Sequence, residues 1–169
     1  MSRIETMQAE REEGEKNMAE YKLGEIEGVQ GYDILAKSEC LSADVNAAFD
    51  PTFPEVSERK NCSFVNNGVV ITKYTGARGK SGASDANAEY VAELRKLFDD
   101  NKVRFQISEL GKVDEGGGGT IAYILANKGM DVIDCGTPVL SMHSPYEVVS
   151  KVDIYEMYKG YKAFYNINL

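Results

Sequence analysis

GVVITKYT, residues 68–75, is the clearest β-strand of the sequence, because its residues are almost all β-branched or aromatic. Shorter apolar runs on both sides predict further strands, at 40–45, 103–107, 131–135 and 139–142. Helical patterns lie among these strands, at 84–100, at 120–126 and from about 150 onward. Strands that alternate with helices predict an α/β fold, a three-layer structure in which helices cover both faces of a sheet.

The predicted helices mark their buried faces by the spacing of apolar residues. Ser84 or Asp85 can cap the helix that runs to about Asp100. Its apolar residues share one face: Tyr90, Val91, Leu94, Leu97 and Phe98. An aromatic stripe in the last helix has helical spacing, and we expect it to pack into the core: Ile154, Tyr158, Tyr161 and Tyr165. Three glycines before the capped helix predict a flexible loop: Gly76, Gly79 and Gly82.

Length and composition limit the class of protein. The 169 residues suffice for about one domain with a real core. A net charge of -8 lacks the basic face that nucleic-acid binding needs, so we expect no nucleic-acid partner. There is no apolar run of about 18 residues and no apolar segment of a secretory signal at the N-terminus, so we expect no membrane association. Three cysteines without CxxC spacing are typical of free thiols and predict a cytoplasmic protein.

The sequence predicts two regions of different character. Residues 1–37 are rich in helix-forming residues near their start, but their apolar spacing is poor. They predict a solvated helical segment, or one that covers a surface in an assembly. Residues 38–169 carry the alternating strands and helices, and therefore the fold and the candidate site.

The only histidine, His143, closes the apolar run 138–142 and is followed at once by Ser144-Pro145. A strand that ends in this way delivers an imidazole to the rim of a sheet, where open α/β folds bind their ligands. Neutral imidazole is a common metal ligand. A lone histidine that is merely hydrogen-bonded in a turn fits the local sequence as well.

Asp44 lies inside the apolar stretch 41–45, where a buried carboxylate is costly unless it is paired, hydrogen-bonded or bound to metal. The local alternative is an aspartate that caps the next turn. Asp44 and His143 both lie at or near the end of an apolar strand. One aspartate and one histidine would be half of a zinc site, which normally needs three or four protein ligands. In a two-metal site they would be the terminal ligands, one on each ion.

The four glycines at 116–119 precede Thr120 and a predicted helix, whose N-terminus favours anions or carbonyl oxygens. A flexible linker is the alternative, although it would interrupt the core between a strand and a helix. Residues 76–81 resemble the end of a phosphate loop, but Tyr74 stands where its first glycine is required. Lys80 in that segment still offers a mobile positive charge for a carboxylate. With one histidine and no G-x-S-x-G motif, a serine or cysteine hydrolase is not supported.

Several of these motifs together resemble one family, the aspartyl aminopeptidase and vacuolar aminopeptidase I family of dinuclear zinc metallopeptidases. The resemblance covers residues 38–164 in the right order and spacing. It is carried by four stretches: SADVNAAFDP at 42–51, GKSGASDANAE at 79–89, LGKVD at 110–114 with the glycines after it, and IDCG through LSMHSPYE at 133–147.

The resemblance implies an α/β fold that is part of a zinc-exopeptidase catalytic domain. It implies removal of one residue, often acidic, from the N-terminus of a peptide by a water that two zinc ions, or other divalent ions, activate. Asp44 and His143 would be metal ligands, and Lys80 would lie near the pocket for the substrate side chain. Other residues would line the substrate cleft: Asp114, Gly117, Gly118, Gly119 and Thr120.

The chain also departs from the family pattern. The remaining family ligands are a histidine, a metal-bridging aspartate and an adjacent glutamate pair that includes the general base, and all lie upstream of the matching stretch. The pair Glu12-Glu13 lacks the surrounding family residues, and there is no second histidine. We therefore expect the C-terminal part of a catalytic domain, with no catalytic residue of its own.

Two hypotheses follow from this departure. In the first, the chain is a segment of an aminopeptidase whose missing half is cut off or is supplied by another chain. In the second, it is an inactive α/β module that binds peptide or a partner chain. In either case we expect the isolated chain to hydrolyse nothing and to bind metal weakly, because two ligands rarely hold zinc. Exposed strand edges next to the missing part predict self-association or a partner chain.

Overall fold

The computed structural model describes residues 31–77, 81–112, 115 and 117–167. The strands in these residues are β1 Glu39–Ser42, β2 Asn46–Ala47, β3 Val69–Thr72, β4 Tyr74–Ala77, β5 Ser81–Asp85, β6 Phe105–Ile107, β7 Asp131–Gly136, β8 Pro138–Leu140 and β9 Val148–Val149. The α-helices are α1 Gly31–Leu35, α2 Ala88–Asp100, α3 Ala122–Ala126 and α4 Lys151–Tyr165, and a short 3-10 helix covers Pro54–Val56.

The strands form a main sheet, a small sheet and a hairpin. The main sheet has the order β1-β7-β3-β6, in which β7 is parallel to β1 and antiparallel to β3. The small sheet has the order β2-β8-β9, with β2 parallel to β8. The hairpin pairs β4 with β5. The predicted single strand at 68–75 is divided in the structure, because β3 ends at Thr72 and Tyr74 and Thr75 belong to β4 of the hairpin. All four residues of β3 are buried, as its β-branched sequence predicts for a strand covered on both faces.

The main core lies between the sheet and the two long helices. Val69 and Ile71 of β3 and Ile133 and Cys135 of β7 belong to one buried cluster with side chains of α2 and α4. Because side chains alternate along a strand, Asp134 faces the opposite side, where it meets Thr120 next to α3. Helices therefore flank both faces of the sheet, and the predicted three-layer α/β fold is confirmed.

The predicted flexible loop at Gly76, Gly79 and Gly82 is wrong where the structure describes it. Gly76 lies in β4 and Gly82 in β5, and these strands pair antiparallel. Gly79 lies outside the described residues. Because β5 continues to Asp85, neither Ser84 nor Asp85 can cap α2. Its cap is Asn87, whose side-chain Oδ1 accepts a hydrogen bond from the backbone N–H of Tyr90 at 2.7 Å.

The aromatic stripe of α4 is also not the core face that its spacing predicts. Ile154 is 42% exposed, Tyr158 58% and Tyr165 78%, and of the four residues only Tyr161 packs against the core. The helix instead turns Asp153, Gly160 and Ala163 inward. A Cβ atom added to Gly160 would lie 3.1 Å from Cζ of Phe98, so the glycine allows α4 to approach α2 closely. This polar and small-residue face sets the rotation of the helix.

Candidate metal and substrate site

Asp44 lies between β1 and β2 and is half-buried. The predicted strand at 40–45 is therefore interrupted at this residue. The backbone N–H of Asp44 donates to the carbonyl of Ser42 at 2.8 Å, which makes a tight local turn. A Cβ atom built on Gly136 would lie 1.9 Å from the Asp44 carbonyl oxygen. The chain can turn at Asp44 because its neighbour in the next strand has no side chain.

Asn46 fixes the chain directly after Asp44. Its side-chain amide donates to Oγ1 of Thr72 at 3.0 Å, and its Oδ1 accepts from Oγ of Ser63 at 2.7 Å and from Oγ of Ser108 at 3.0 Å. The Asn46 side chain is fully buried, so these bonds replace water. The segment that carries Asp44 is therefore rigidly held on its C-terminal side.

His143 is exposed and follows the end of β8 at Leu140. Its backbone φ is 66°, and that of Ser141 is 57°. Two non-glycine residues so close together in the left-handed region cost about 1–3 kcal/mol each unless their surroundings impose it. The backbone N–H of His143 donates to Oε1 of Glu147 at 2.5 Å, which holds the turn. The strand ends at Leu140 rather than at Met142 as predicted, and His143 lies in a turn beyond it.

The described residues do not form a complete zinc site. β2 and β8 run parallel to each other, with Asn46 opposite Pro138. Asp44 lies before the start of β2 and His143 lies beyond the end of β8, so the two residues are at opposite ends of this strand pair. In the part of the chain that the structure describes, no group of three or more His, Cys, Asp or Glu residues could hold a metal ion. Zinc normally needs three or four protein ligands, so Asp44 and His143 would need ligands from elsewhere.

A second carboxylate, Asp134, lies close to Asp44 and is not among the predicted site residues. It is only 3% exposed, and its Oδ2 accepts a hydrogen bond from Oγ1 of Thr120 at 2.7 Å. Oγ1 of Thr120 is in turn 3.2 Å from Oγ1 of Thr75. A chain of buried polar groups thus joins β7, the glycine segment and β4.

Burial raises the pKa of Asp134 above its usual range. The hydroxyls of Ser42, Thr120 and Thr75 act to lower it, and the nearby negative charge of Asp44 raises it further. Ser42 stands opposite Asp134 in the β1–β7 register. Oγ of Ser42 and Oδ1 of Asp134 are nevertheless buried without a hydrogen bond of normal geometry. The carboxylate is therefore only partly satisfied.

The sequence carries a signal for Asp134. It lies between Ile133 and Cys135 in an apolar strand, so the cost of burying a carboxylate applies to it as it does to Asp44. Its partner, Thr120, could not be read from the sequence, because the contact depends on where α3 lies on the sheet.

The glycine segment is closely packed at two of its three described glycines. Gly117 has a φ of 92°, and an added Cβ atom would lie 2.8 Å from the Leu110 carbonyl oxygen and 2.9 Å from that of Gly76. At Gly118 the corresponding distance to Cδ2 of Leu110 is 3.0 Å, whereas Gly119 faces open space. This close packing argues against the alternative of a flexible linker. Thr120, the next residue, is buried.

Two predicted substrate residues, Lys80 and Asp114, lie outside the described residues.

Among the helices that are described, none is both long and apolar enough to span a membrane. Cys40, Cys62 and Cys135 are all free thiols.

Comparison with known proteins places most of the chain in one group. Residues 18–165 match the family described as aminopeptidase I zinc metalloprotease (M18). This match begins inside the predicted segment 1–37, whose boundary stays a prediction. A probable M18 family aminopeptidase 1 of Clostridium acetobutylicum is 59% identical over 132 residues, which are 78% of this chain and 28% of that protein.

Solved structures agree with this match. The crystal structure of aminopeptidase I from Clostridium acetobutylicum superposes with a TM-score of 0.77 and 56% identity, over 82% of this chain and 30% of that one. The mApe1 dodecamer of Saccharomyces cerevisiae gives a TM-score of 0.66 and 25% identity, over 84% of this chain and 30% of its own. The chain therefore spans about 30% of the length of the relatives it matches.

Proposed function

Because the chain belongs to the aminopeptidase I (M18) family of zinc metalloproteases, we propose that it is part of the catalytic domain of a metallo-aminopeptidase. The whole enzyme releases N-terminal, acidic residues from peptides at a site that holds two zinc ions. The observation that carries the proposal is the family match together with Asp44, held at a break between two strands beside a second carboxylate.

In this proposal Asp44 and His143 are ligands, one to each zinc ion. The left-handed turn at Ser141 and His143 supports it, because such unusual backbone is common where side chains must be aimed at a ligand. The remaining ligands and the general base come from residues outside this chain.

The substrate side of the site is assigned to the glycine segment and its neighbours. Gly117 and Gly118 are packed closely enough to keep a fixed backbone, and Gly119 faces open space that a peptide backbone can enter. Thr120 anchors the segment to the sheet. Lys80 supplies the positive charge for an acidic side chain of the substrate, and Asp114 lines the same cleft.

The chain works in a homo-oligomer or with a complementing chain. The dodecameric state of the yeast structure supports this assembly. Among the described strands, β1 lies at an edge of the main sheet and β9 at an edge of the small one, so each has room for a neighbour. Three free thiols favour the cytoplasm as its location.

A second candidate function is an inactive α/β module that binds peptide or a partner chain. The finding that favours it is that, among the residues the structure describes, no group of three or more His, Cys, Asp or Glu side chains could hold a metal ion. The two candidates differ in whether Asp44 and His143 matter to catalysis once the rest of the site is supplied.

A chimera separates these candidates. The corresponding segment of the Clostridium acetobutylicum aminopeptidase is replaced by this chain, and hydrolysis of Asp- and Glu-aminoacyl substrates is measured together with bound zinc. The proposal expects activity in the chimera, and its loss in both Asp44→Ala and His143→Ala. Lys96→Ala, an exposed change on α2, is the matched control and should stay active.

The opposite outcomes identify the alternative. A folded chimera that binds zinc but hydrolyses neither substrate favours the inactive module. A chimera whose activity survives both ligand substitutions contradicts the assignment of Asp44 and His143. Activity and two bound zinc ions in the unmodified chain alone would contradict the view that it is incomplete.

A further inference from the structure

We propose that Asp134 is a positioning residue, whose carboxylate holds the glycine segment 117–120 and the Asp44 turn in a fixed relation to each other. The proposal deepens the function above, because these two segments are its substrate side and its metal side.

The first half of the link runs from Asp134 to the glycine segment. Thr120 ends that segment, and its Oγ1 donates to Oδ2 of Asp134 at 2.7 Å. The same hydroxyl oxygen lies 3.2 Å from Oγ1 of Thr75 and 3.4 Å from the backbone N–H of Ala122. Gly76 follows Thr75, and its carbonyl oxygen is one of the two that leave no room for a side chain at Gly117. The shape of the segment thus depends on a hydroxyl that Asp134 orients.

The second half runs from Asp134 to Asp44. Ser42, which begins the Asp44 turn, is the register partner of Asp134, and Gly136 of the same strand touches the Asp44 backbone. After the turn, the backbone N–H of Asn46 donates to the carbonyl of Thr137 at 3.0 Å. The end of β7 and Thr137, which directly follows it, therefore contact the chain before, at and after Asp44. Asp134 is the side chain at this strand end that also reaches the glycine segment.

The burial of Asp134 argues against a purely stabilising role. A carboxylate in the sheet interior is costly unless its oxygens are satisfied, and Oδ1 lacks a hydrogen bond. Asp153 shows what full satisfaction looks like, because its two oxygens accept backbone N–H groups of Asn66 and Gly68 at 2.8 Å each. Asp134 has a weaker set of partners, and those partners all belong to the candidate site.

Hydrogen exchange on this chain tests the proposal without metal or turnover. Exchange of backbone amides is followed in peptides that cover 40–48 and 117–122, in the unmodified protein and in Asp134→Ala. The proposal expects exchange in both segments to rise by about 10-fold or more, since a buried hydrogen bond is lost. Asp134→Asn keeps an acceptor for Thr120 and should restore protection in both.

Further variants separate positioning from general stability. Thr120→Val breaks the link from its other end and should raise exchange in both segments, whereas Thr120→Ser keeps the hydroxyl and should not. Asp153→Ala is the matched control, a buried aspartate elsewhere, and should act around Asn66, Gly68 and α4 instead.

Three results would overturn the proposal: unchanged exchange in Asp134→Ala, a rise confined to one segment, or a uniform rise that matches Asp153→Ala. Thr120→Val decides the question if Asp134→Ala does not fold. Because exchange needs neither zinc nor peptide, an inactive chimera would count against the proposed function and leave this result standing.

Discussion

Gly136 and Asp44 touch through their backbones, so that a Cβ atom on Gly136 would lie 1.9 Å from the Asp44 carbonyl oxygen. The contact occurs where the chain passes from β7 to β8 and, on the neighbouring strand, from β1 to β2. Main sheet and small sheet are thus joined at one point, and a proposed metal ligand lies there. The geometry of Asp44 depends on the absence of a side chain opposite it.

Gly136→Ala should therefore destabilise the protein. The added methyl group meets backbone atoms, which cannot move away as a flexible side chain can. We expect the free energy of unfolding to fall by about 1–3 kcal/mol or more. Urea denaturation followed by circular dichroism measures it.

Gly119→Ala is the matched control for this change. A Cβ atom at Gly119 has no neighbour within 4 Å, so its free energy of unfolding should change by less than about 1 kcal/mol. Equal losses in the two variants would show that the close contact at Gly136 is not what stabilises the junction.

Asp153 should be the most sensitive polar residue of α4. It is 0% exposed, and Asp153→Ala leaves the N–H groups of Asn66 and Gly68 without an acceptor. We expect a loss of about 2–4 kcal/mol in the free energy of unfolding. Asp99→Ala, at an exposed position of α2, should change it by less than about 0.5 kcal/mol. If Asp153→Ala lowered the free energy of unfolding as little as Asp99→Ala does, the hydrogen bonds of Asp153 would not have the stabilising role given to them.

Glu156 should contribute a pH-dependent stability. Burial acts to raise its pKa, but hydrogen bonds from Lys159 and from the backbone N–H of Arg104 outweigh it and hold the pKa below 4.5. A lowered folded-state pKa stabilises the protein above the unfolded-state pKa, and this stability is lost as pH falls through the folded-state value.

Glu156→Gln should therefore be less stable than the unmodified protein at pH 7, and the difference should shrink below pH 4.5. Thermal unfolding at a series of pH values measures it. Glu115→Gln removes an exposed partner of Lys112 and should have almost no effect at any pH. A difference for Glu156→Gln that grows on acidification would show the sign to be wrong.

The sequence predicts the parts of the fold in which local pattern and packing agree. The β-branched run Val69–Thr72 is a buried strand, and the apolar spacing of α2 matches its buried face. The hairpin β4–β5 is predicted only in part: Tyr74 and Thr75 of β4 fall within the predicted strand at 68–75, but the break before them does not follow from the pattern. The glycine and serine residues of the hairpin have little strand preference and form strands by pairing with each other. The rotation of α4 about its axis could not be predicted from the sequence, because it depends on contacts that Asp153 and Gly160 make with residues distant in the chain.

The candidate site is predictable to a similar degree. Apolar patterning places Asp44 and His143 near strand ends, although both strands end earlier than predicted, at Ser42 and Leu140. The network of Asp134, Thr120 and Thr75 does not follow from pattern, because it joins three elements that are distant in sequence. The contact of Gly136 with Asp44 depends on the β1–β7 register, which also has no local signature.

Zinc binding by the isolated chain should be weak. Asp44 and His143 are the two ligands expected here, and no described group of three metal-binding side chains exists to add to them. We expect less than one zinc ion per chain after dialysis, measured by elemental analysis, because two ligands do not hold zinc against water. Asp44→Ala and His143→Ala should each abolish the weak binding seen in a titration with excess zinc, whereas Asp99→Ala should not. Two tightly held ions in the unmodified chain would require ligands within the residues that remain undescribed.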